Sequence, residues 1–245
     1  MAKNLSYLRQ QVRMYLDESA QADWTDSEVD REINNAYQKV VTCVYEVYED
    51  FYMGTWEMDT QAGKQEYSSL DGMPTDIMKI RRIEINYHPS TTTIKALARP
   101  VQLDEIQHNI SNTNVSGFDS PVWYLMGIGT GAGGERVGFI PIPIENGTDA
   151  IKGWYIQQIS DLVLSSDPVV IPYPDRYAQS ISRYASGVLL SKGQQEERAG
   201  LVYLETFDKD MRQMQQQLED RKAQGAKTVV DTAGADVDFS NYGMT

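Results

Sequence analysis

The residues able to do chemistry are few and poorly placed for it. Gly129-Thr130-Gly131-Ala132-Gly133-Gly134 matches the G-x-G-x-x-G spacing of a dinucleotide loop. That loop works only where it opens a helix, so that the helix N-terminus meets the pyrophosphate. Here GERVGFIPIPI follows, which is strand-like and carries Pro141 and Pro143, so the stretch reads as a hairpin loop. No G-K-[ST] occurs. The two histidines, His88 and His108, have no Cys or His partner at metal-ligand spacing. No G-x-S-x-G elbow supports a serine nucleophile. Asp231, Asp236 and Asp238 fall in a tail that gives them no fixed geometry, and the calcium-loop pattern is absent. The only cysteine, Cys43, sits in an apolar helical stripe, where it reads as a small core filler, and it excludes an internal disulfide. Asp26 and Glu28 read as helix-starting residues rather than as an acid–base pair. Arg81 and Arg82 stand in a strand-like run, which points them to opposite faces. Trp123, Tyr124, Trp154 and Tyr155 suit either stacking on a sugar or the packing of a β core. The sequence therefore predicts no catalytic residue, no cofactor and no metal site.

The elements around these residues are clearer. The most regular stretch is a helical hairpin, Pro174 to Lys222. In its first half Tyr177, Ile181, Tyr184 and Val188 recur on one helix face, with Ala185 and Leu189 beside them. Pro174 suits a first turn, and Lys192-Gly193 suits a basic last turn with a left-handed terminator. In the second half Leu204, Phe207, Met211, Met214 and Leu218 step by 3, 4, 3 and 4, a heptad-like seam that requires a partner helix.

The partner faces are expected from the N-terminus. Leu5, Leu8, Val12, Tyr15 and Leu16 mark a helix over about Leu5–Asp17. Thr25 and Glu28 form a capping box, Trp24 and Val29 a hydrophobic staple, and a helix of roughly 35–40 Å runs to about Phe51. Its stripe is Val29, Ile33, Tyr37, Val40, Val44, Tyr48 and Phe51. From Gly54 the period changes to two. Ile77, Ile80, Ile83 and Ile85, then TTTIKALARPVQL, PVWYLMG, ERVGFIPIPI and GWYIQQI read as strands between turns. Asp104–His108 reads as one short helix. The chain thus divides into N-terminal helices (1–53), an inserted β domain (54–164), a C-terminal hairpin (165–223) and a flexible arm (224–245). The predicted class is α+β: an antiparallel helical bundle with an inserted antiparallel β-sandwich or barrel and an extended C-terminal arm.

Composition limits the partners. The chain has 245 residues, 41% hydrophobic, with 35 acidic against 22 basic residues and a net charge of −13. That is enough for a core but leaves no molecule-wide basic surface for phosphates. No apolar run is long enough to span a membrane, and MAKNLSYLRQQVRMYLDESA has no apolar signal core, so a cytosol-like site of synthesis is expected.

Trp24 to Tyr37 (WTDSEVDREINNAY), PDRYAQSISRYASGVLLSKG from Pro174, and the following YLETFDKDMRQMQQQL carry a resemblance. With the inserted β unit and the Pro–Tyr–Pro strap between them, they resemble the head-to-tail adaptor (connector) proteins of tailed bacteriophages, in particular the short-tailed type with an inserted β domain. The resemblance implies a structural, non-enzymatic protein of the virion neck, made in the host bacterial cytoplasm. It implies a homo-oligomeric ring of about twelve copies beneath the portal protein, extending the DNA channel and offering a platform for tail or nozzle proteins and fibres. DNA would pass without specific binding, and no membrane is involved. Portal binding would fall to the arm, with Val229, Val230, Val237, Phe239 and Tyr242 as its apolar anchors. Packing within or between subunits would fall to Val29, Ile33, Tyr37, Val44, Ile181, Tyr184, Leu204, Phe207, Met211, Met214 and Leu218. The alternatives are a stopper or tail-completion ring of the same neck, or a carbohydrate-active or hydrolytic β-sandwich enzyme.

Overall fold

A computed structural model describes residues 3–18, 23–102, 121–127, 135–192 and 197–232. The chain forms two compact units, a helical one built from Met1–Phe51 with Ser160–Thr245 and a sheet one built from Tyr52–Ile159.

In the helical unit α1 spans Leu5–Tyr15, capped by Asn4, whose side chain accepts from the Tyr7 amide at 2.9 Å. Helix α2 spans Asp26–Tyr48 and opens on the expected capping box: Thr25 Oγ1 accepts from the Glu28 amide, and the Glu28 carboxylate accepts from the Thr25 amide. A 3-10 turn over Glu49–Tyr52 follows α2. Helix α3 spans Pro174–Lys192 and α4 spans Glu197–Thr232. Helix α3 packs against α1, α2 and α4, and α2 also packs against α1 and α4. This gives each apolar stripe a neighbour, as amphipathic helices of this length require.

Two features of α3 were not visible as periodicity. Ser180, Ser182 and Ser186 are fully buried. Ser182 donates to the Leu8 carbonyl at 3.3 Å and Ser186 to the Ser182 carbonyl at 2.8 Å, which satisfies their hydroxyls inside the core. Gly187 and Gly200 let the backbones of α3 and α4 approach closely. A Cβ at Gly200 would stand 2.7 Å from the Gly187 carbonyl oxygen, and one at Gly187 would stand 2.9 Å from that of Gly200.

The strap before α3 is bound to the N-terminus. The Leu5 amide donates to the Asp167 carbonyl at 3.2 Å and the Val169 amide to the Lys3 carbonyl at 2.9 Å. Asn34 of α2 grips the Leu162 peptide from both sides, donating to its carbonyl at 3.0 Å and accepting from its amide at 2.8 Å. The Tyr37 hydroxyl accepts from the Val170 amide at 3.3 Å, and burial raises its pKa to about 12.

The sheet unit holds β1 (Met53–Thr60), β2 (Glu66–Tyr67), β3 (Ile77–Ile85), β4 (Ala96–Pro100), β5 (Val122–Met126), β6 (Arg136–Ile140) and β7 (Gly147–Gln157). They form one seven-stranded sheet in the order β1-β7-β3-β4-β5-β6-β2. A purely antiparallel sandwich or barrel was expected, and this is corrected: the seven strands form one sheet and that sheet is mixed. Strands β4 and β5 run parallel, in register Arg99↔Val122 and Pro100↔Trp123. A parallel pair needs a long crossover, and 21 residues, from Val101 to Pro121, connect the two strands. Strand β6 stops at Ile140, immediately before the two prolines, which cannot donate to a ladder.

The core of this unit is carried by Trp56, Met58, Tyr67, Ile83, Ile85, Tyr87, Trp123, Phe139, Ile151 and Tyr155, among others. One tight point is Trp56, paired directly across from Gly153, and the Trp56 ring lies where a Cβ at 153 would be. The Tyr155 ring meets it edge-on, 5.4 Å between centroids.

Candidate functional site

The helical unit is held together by charged pairs at its N-terminal end. Arg9 of α1 grips the Asp30 carboxylate with two nitrogens, at 2.9 and 2.6 Å. Arg13 donates to Asp26 at 2.9 Å and also pairs with Glu18. Asp26 thus acts as an anchor for α1 in addition to starting α2.

One carboxylate is deeply placed. The Glu32 side chain is only 6% exposed and accepts from Lys192 Nζ at 2.8 Å, Asn35 Nδ2 at 3.0 Å and Arg31 Nε at 3.2 Å. Burial pushes its pKa upward, but the Lys192, Asn35 and Arg31 donors outweigh this and hold it below the ordinary 4.5. The contact fixes the last turn of α3 on α2. Nothing in the sequence separated Glu32 from the other acidic residues of α2, because its partner lies on a distant helix. A depressed carboxylate contributes stability above its unfolded pKa and loses it as pH falls through the folded value. Replacing Glu32 with Gln is expected to cost about 1 kcal/mol at pH 7, since Lys192 and Arg31 are themselves well solvated. The cost should shrink on acidification below about pH 4, and thermal melts of both proteins across that range check it.

Further along, the α3–α4 pair is tied by polar contacts at its edges. Tyr177 donates to Gln217 Oε1 at 2.9 Å, Ser180 donates to the Asp210 carboxylate, and Arg183 reaches the same carboxylate at 3.3 Å. Lys222 donates to the Val47 carbonyl at 3.4 Å. Of the residues expected to pack in or between subunits, Val29, Ile33, Tyr37, Val44, Ile181, Phe207, Met214 and Leu218 are buried in this single chain. Tyr184, Leu204 and Met211 are partly buried, and the Tyr184 ring lies 4.8 Å from that of Phe207.

Beyond Leu218 the burial stops while the helix continues. Glu219 to Ala223 are all exposed, and α4 extends to Thr232, past the point at which an irregular arm was expected to begin. Val229 and Val230 therefore fall on the last turns of a helix. Val237, Phe239 and Tyr242 lie outside the described residues.

The structure assembles no chemical site from the remaining candidates. Cys43 is buried, and burial raises its thiol pKa. His88 Nδ1 stands 3.6 Å from Glu145 on the surface of the sheet unit. His108, Asp236, Asp238, the short helix predicted over 104–108 and the glycine-rich loop 129–134 lie outside the described residues. Asp231 falls in the last turn of α4. Among the described residues no group of three His, Cys, Asp or Glu side chains is arranged to hold a metal, and no helix is long and apolar enough to cross a membrane. Trp123, Tyr124 and Tyr155 are buried, and only Trp154 of the four aromatics reaches the surface. The register shifts between Ile80 and Arg82, and Arg81 and Arg82 are both exposed.

The comparison with known proteins is what decides the family. The pattern of the SU10 adaptor protein family matches residues 3–230, nearly the whole chain. The chain belongs to the SU10 adaptor protein family. No curated protein matches it. As an SU10 adaptor protein it is a structural component of a bacteriophage virion, a head–tail connector. That assignment accounts for the charged pairs and buried serines as structural devices. The match ends at residue 230, two residues before the end of α4, so it includes most of the helix beyond Leu218.

Proposed function

We propose that this SU10 adaptor protein forms a ring of about twelve copies beneath the portal, lengthens the DNA channel and presents a platform for tail or nozzle proteins. The four helices act as one bundle in each copy, and residues from 224 onward form the arm that enters the portal, with Val229, Val230, Val237, Phe239 and Tyr242 as anchors. One observation carries this reading. Helix α4 has 36 residues and α3 has 19, about 54 and 28 Å at a rise of 1.5 Å per residue. The last buried position of α4 among the described side chains is Leu218, and Glu219 to Ala223 are exposed, so the described part of the helix beyond Leu218 adds nothing to the subunit's core. The net charge of −13 supports a channel wall from which DNA is repelled rather than held. The inserted sheet unit offers a separate surface for tail components.

Electron microscopy of the chain mixed with portal rings tests the reading. A second ring directly beneath the portal is the expected result. Portal particles that remain bare at micromolar adaptor would remove it.

A further inference from the structure

The two faces of the sheet unit differ in chemistry. One carries the core with Trp56, Ile83 and Tyr155. On the other, cross-strand pairing places Trp154 beside Arg82, and Lys152 beside Glu57 and Glu84. Arg82 lies 5.1 Å from the Trp154 ring and Lys152 5.6 Å, so a surface indole is flanked by two cations. Arg82 is 53% exposed and pairs with Glu84, and Arg99, near the end of β4, is exposed as well.

This basic character runs against the rest of the molecule. Residues 52–159 carry eight basic and twelve acidic residues, so of the chain's net −13 only −4 falls there and −9 falls on the helical unit. Six of those eight basic residues, Lys79, Arg81, Arg82, Lys95, Arg99 and Lys152, lie on β3, β4 and β7 or lead into β4. Tryptophan and arginine are also the residue types that most often anchor protein interfaces.

We propose that this face docks onto the acidic helical unit of a second copy of the chain. The inference rests on the ring reading and names the contact between neighbouring subunits. Its best counterpart is the outward stripe at the start of α4, where Leu201 and Val202 are 51% and 58% exposed. Glu205 and Asp208 are exposed on the next two turns, at the i, i+4, i+7 spacing of one helix face from Leu201. Apolar and acidic groups then meet an indole and two guanidinium groups. A sheet face against a helix face is a heterologous contact, the kind a closed ring requires. Charge complementarity of this sort selects the partner and speeds encounter.

The test uses the full chain with portal rings and counts adaptor rings by electron microscopy. The variant R82E/R99E places four negative charges' worth of change on the face, and ring occupancy is expected to fall at least tenfold while the melting temperature stays within about 2 °C, as suits exposed positions. The fourfold variant R82E/R99E/E205R/D208R reverses both partners and is expected to restore the rings. Full occupancy with R82E/R99E overturns the inference and leaves the ring reading standing. Loss that the fourfold variant does not repair overturns the choice of the helical unit as partner. Bare portals with the unaltered chain remove the ring reading and this inference together. If R82E/R99E instead abolishes retention by duplex DNA with ring occupancy unchanged, the face binds phosphate and the proposal is wrong.

Discussion

Ending the chain after Gln224 is expected to give a folded protein that no longer docks onto portal rings. Among the described side chains every buried residue of the helical seam lies at or before Leu218, so the truncated chain keeps that core. Its melting temperature should stay within about 2 °C of the full chain, because exposed helix ends contribute little to global stability. The cut removes Val229, Val230, Val237, Phe239 and Tyr242 together. Burying one such side chain in a partner is worth about 1.5–3 kcal/mol, so losing even two weakens each copy's attachment by about a hundredfold. Weakening repeats at each copy of a ring, so the assembled effect is larger. The two readouts are a thermal melt and the fraction of portals bearing a second ring. An unaltered fraction would sink the arm assignment, whatever the melt showed.

The second large effect is expected in the sheet unit. A Cβ at Gly153 would lie 2.2 Å from the six-membered ring of Trp56, which is 5% exposed and held by Tyr155 at its edge. Gly153→Ala therefore forces one of the two tryptophans of this core to move, at a cost of about 1–3 kcal/mol or more, and Gly153→Val should prevent the sheet unit from folding. Trp56→Leu alone should cost about 2–4 kcal/mol through the void it leaves. Combined with Gly153→Ala it should cost less than the sum, since the added methyl then occupies vacated space. Denaturant unfolding of the four proteins reads this directly. Additive costs, or a Gly153→Ala protein as stable as the original, would mean that Trp56 does not sit against the backbone at 153.

The helices were legible because their signals are local. Thr25 and Glu28 are three residues apart and form the box their types predict. The 3-and-4 spacing through Phe207, Met214 and Leu218 gave the buried face of α4 directly. The sheet order was not legible. Alternation marks a strand but does not carry its neighbour or its direction, and the parallel joint between β4 and β5 follows from a connection whose polar sequence has no period. Gly153 gave no signal either, because its reason for being glycine is a tryptophan about a hundred residues earlier in the chain. The same holds for the Glu32–Lys192 contact and for the approach of Gly187 to Gly200. The candidate surface around Trp154 was half visible: Arg82 and the aromatic residues stood out by type, but only the register places them side by side.

The parallel joint also sets what holds this sheet together. Among the described residues only two residue pairs link β1-β7-β3-β4 to β5-β6-β2, whereas seven pairs join β3 to β7. The ladder is thin along this joint, so the two halves of the sheet are held to each other chiefly by side chains: one shared core of Trp56, Ile83, Trp123 and Phe139, and the Tyr87 hydroxyl donating to the Pro141 carbonyl at 2.8 Å.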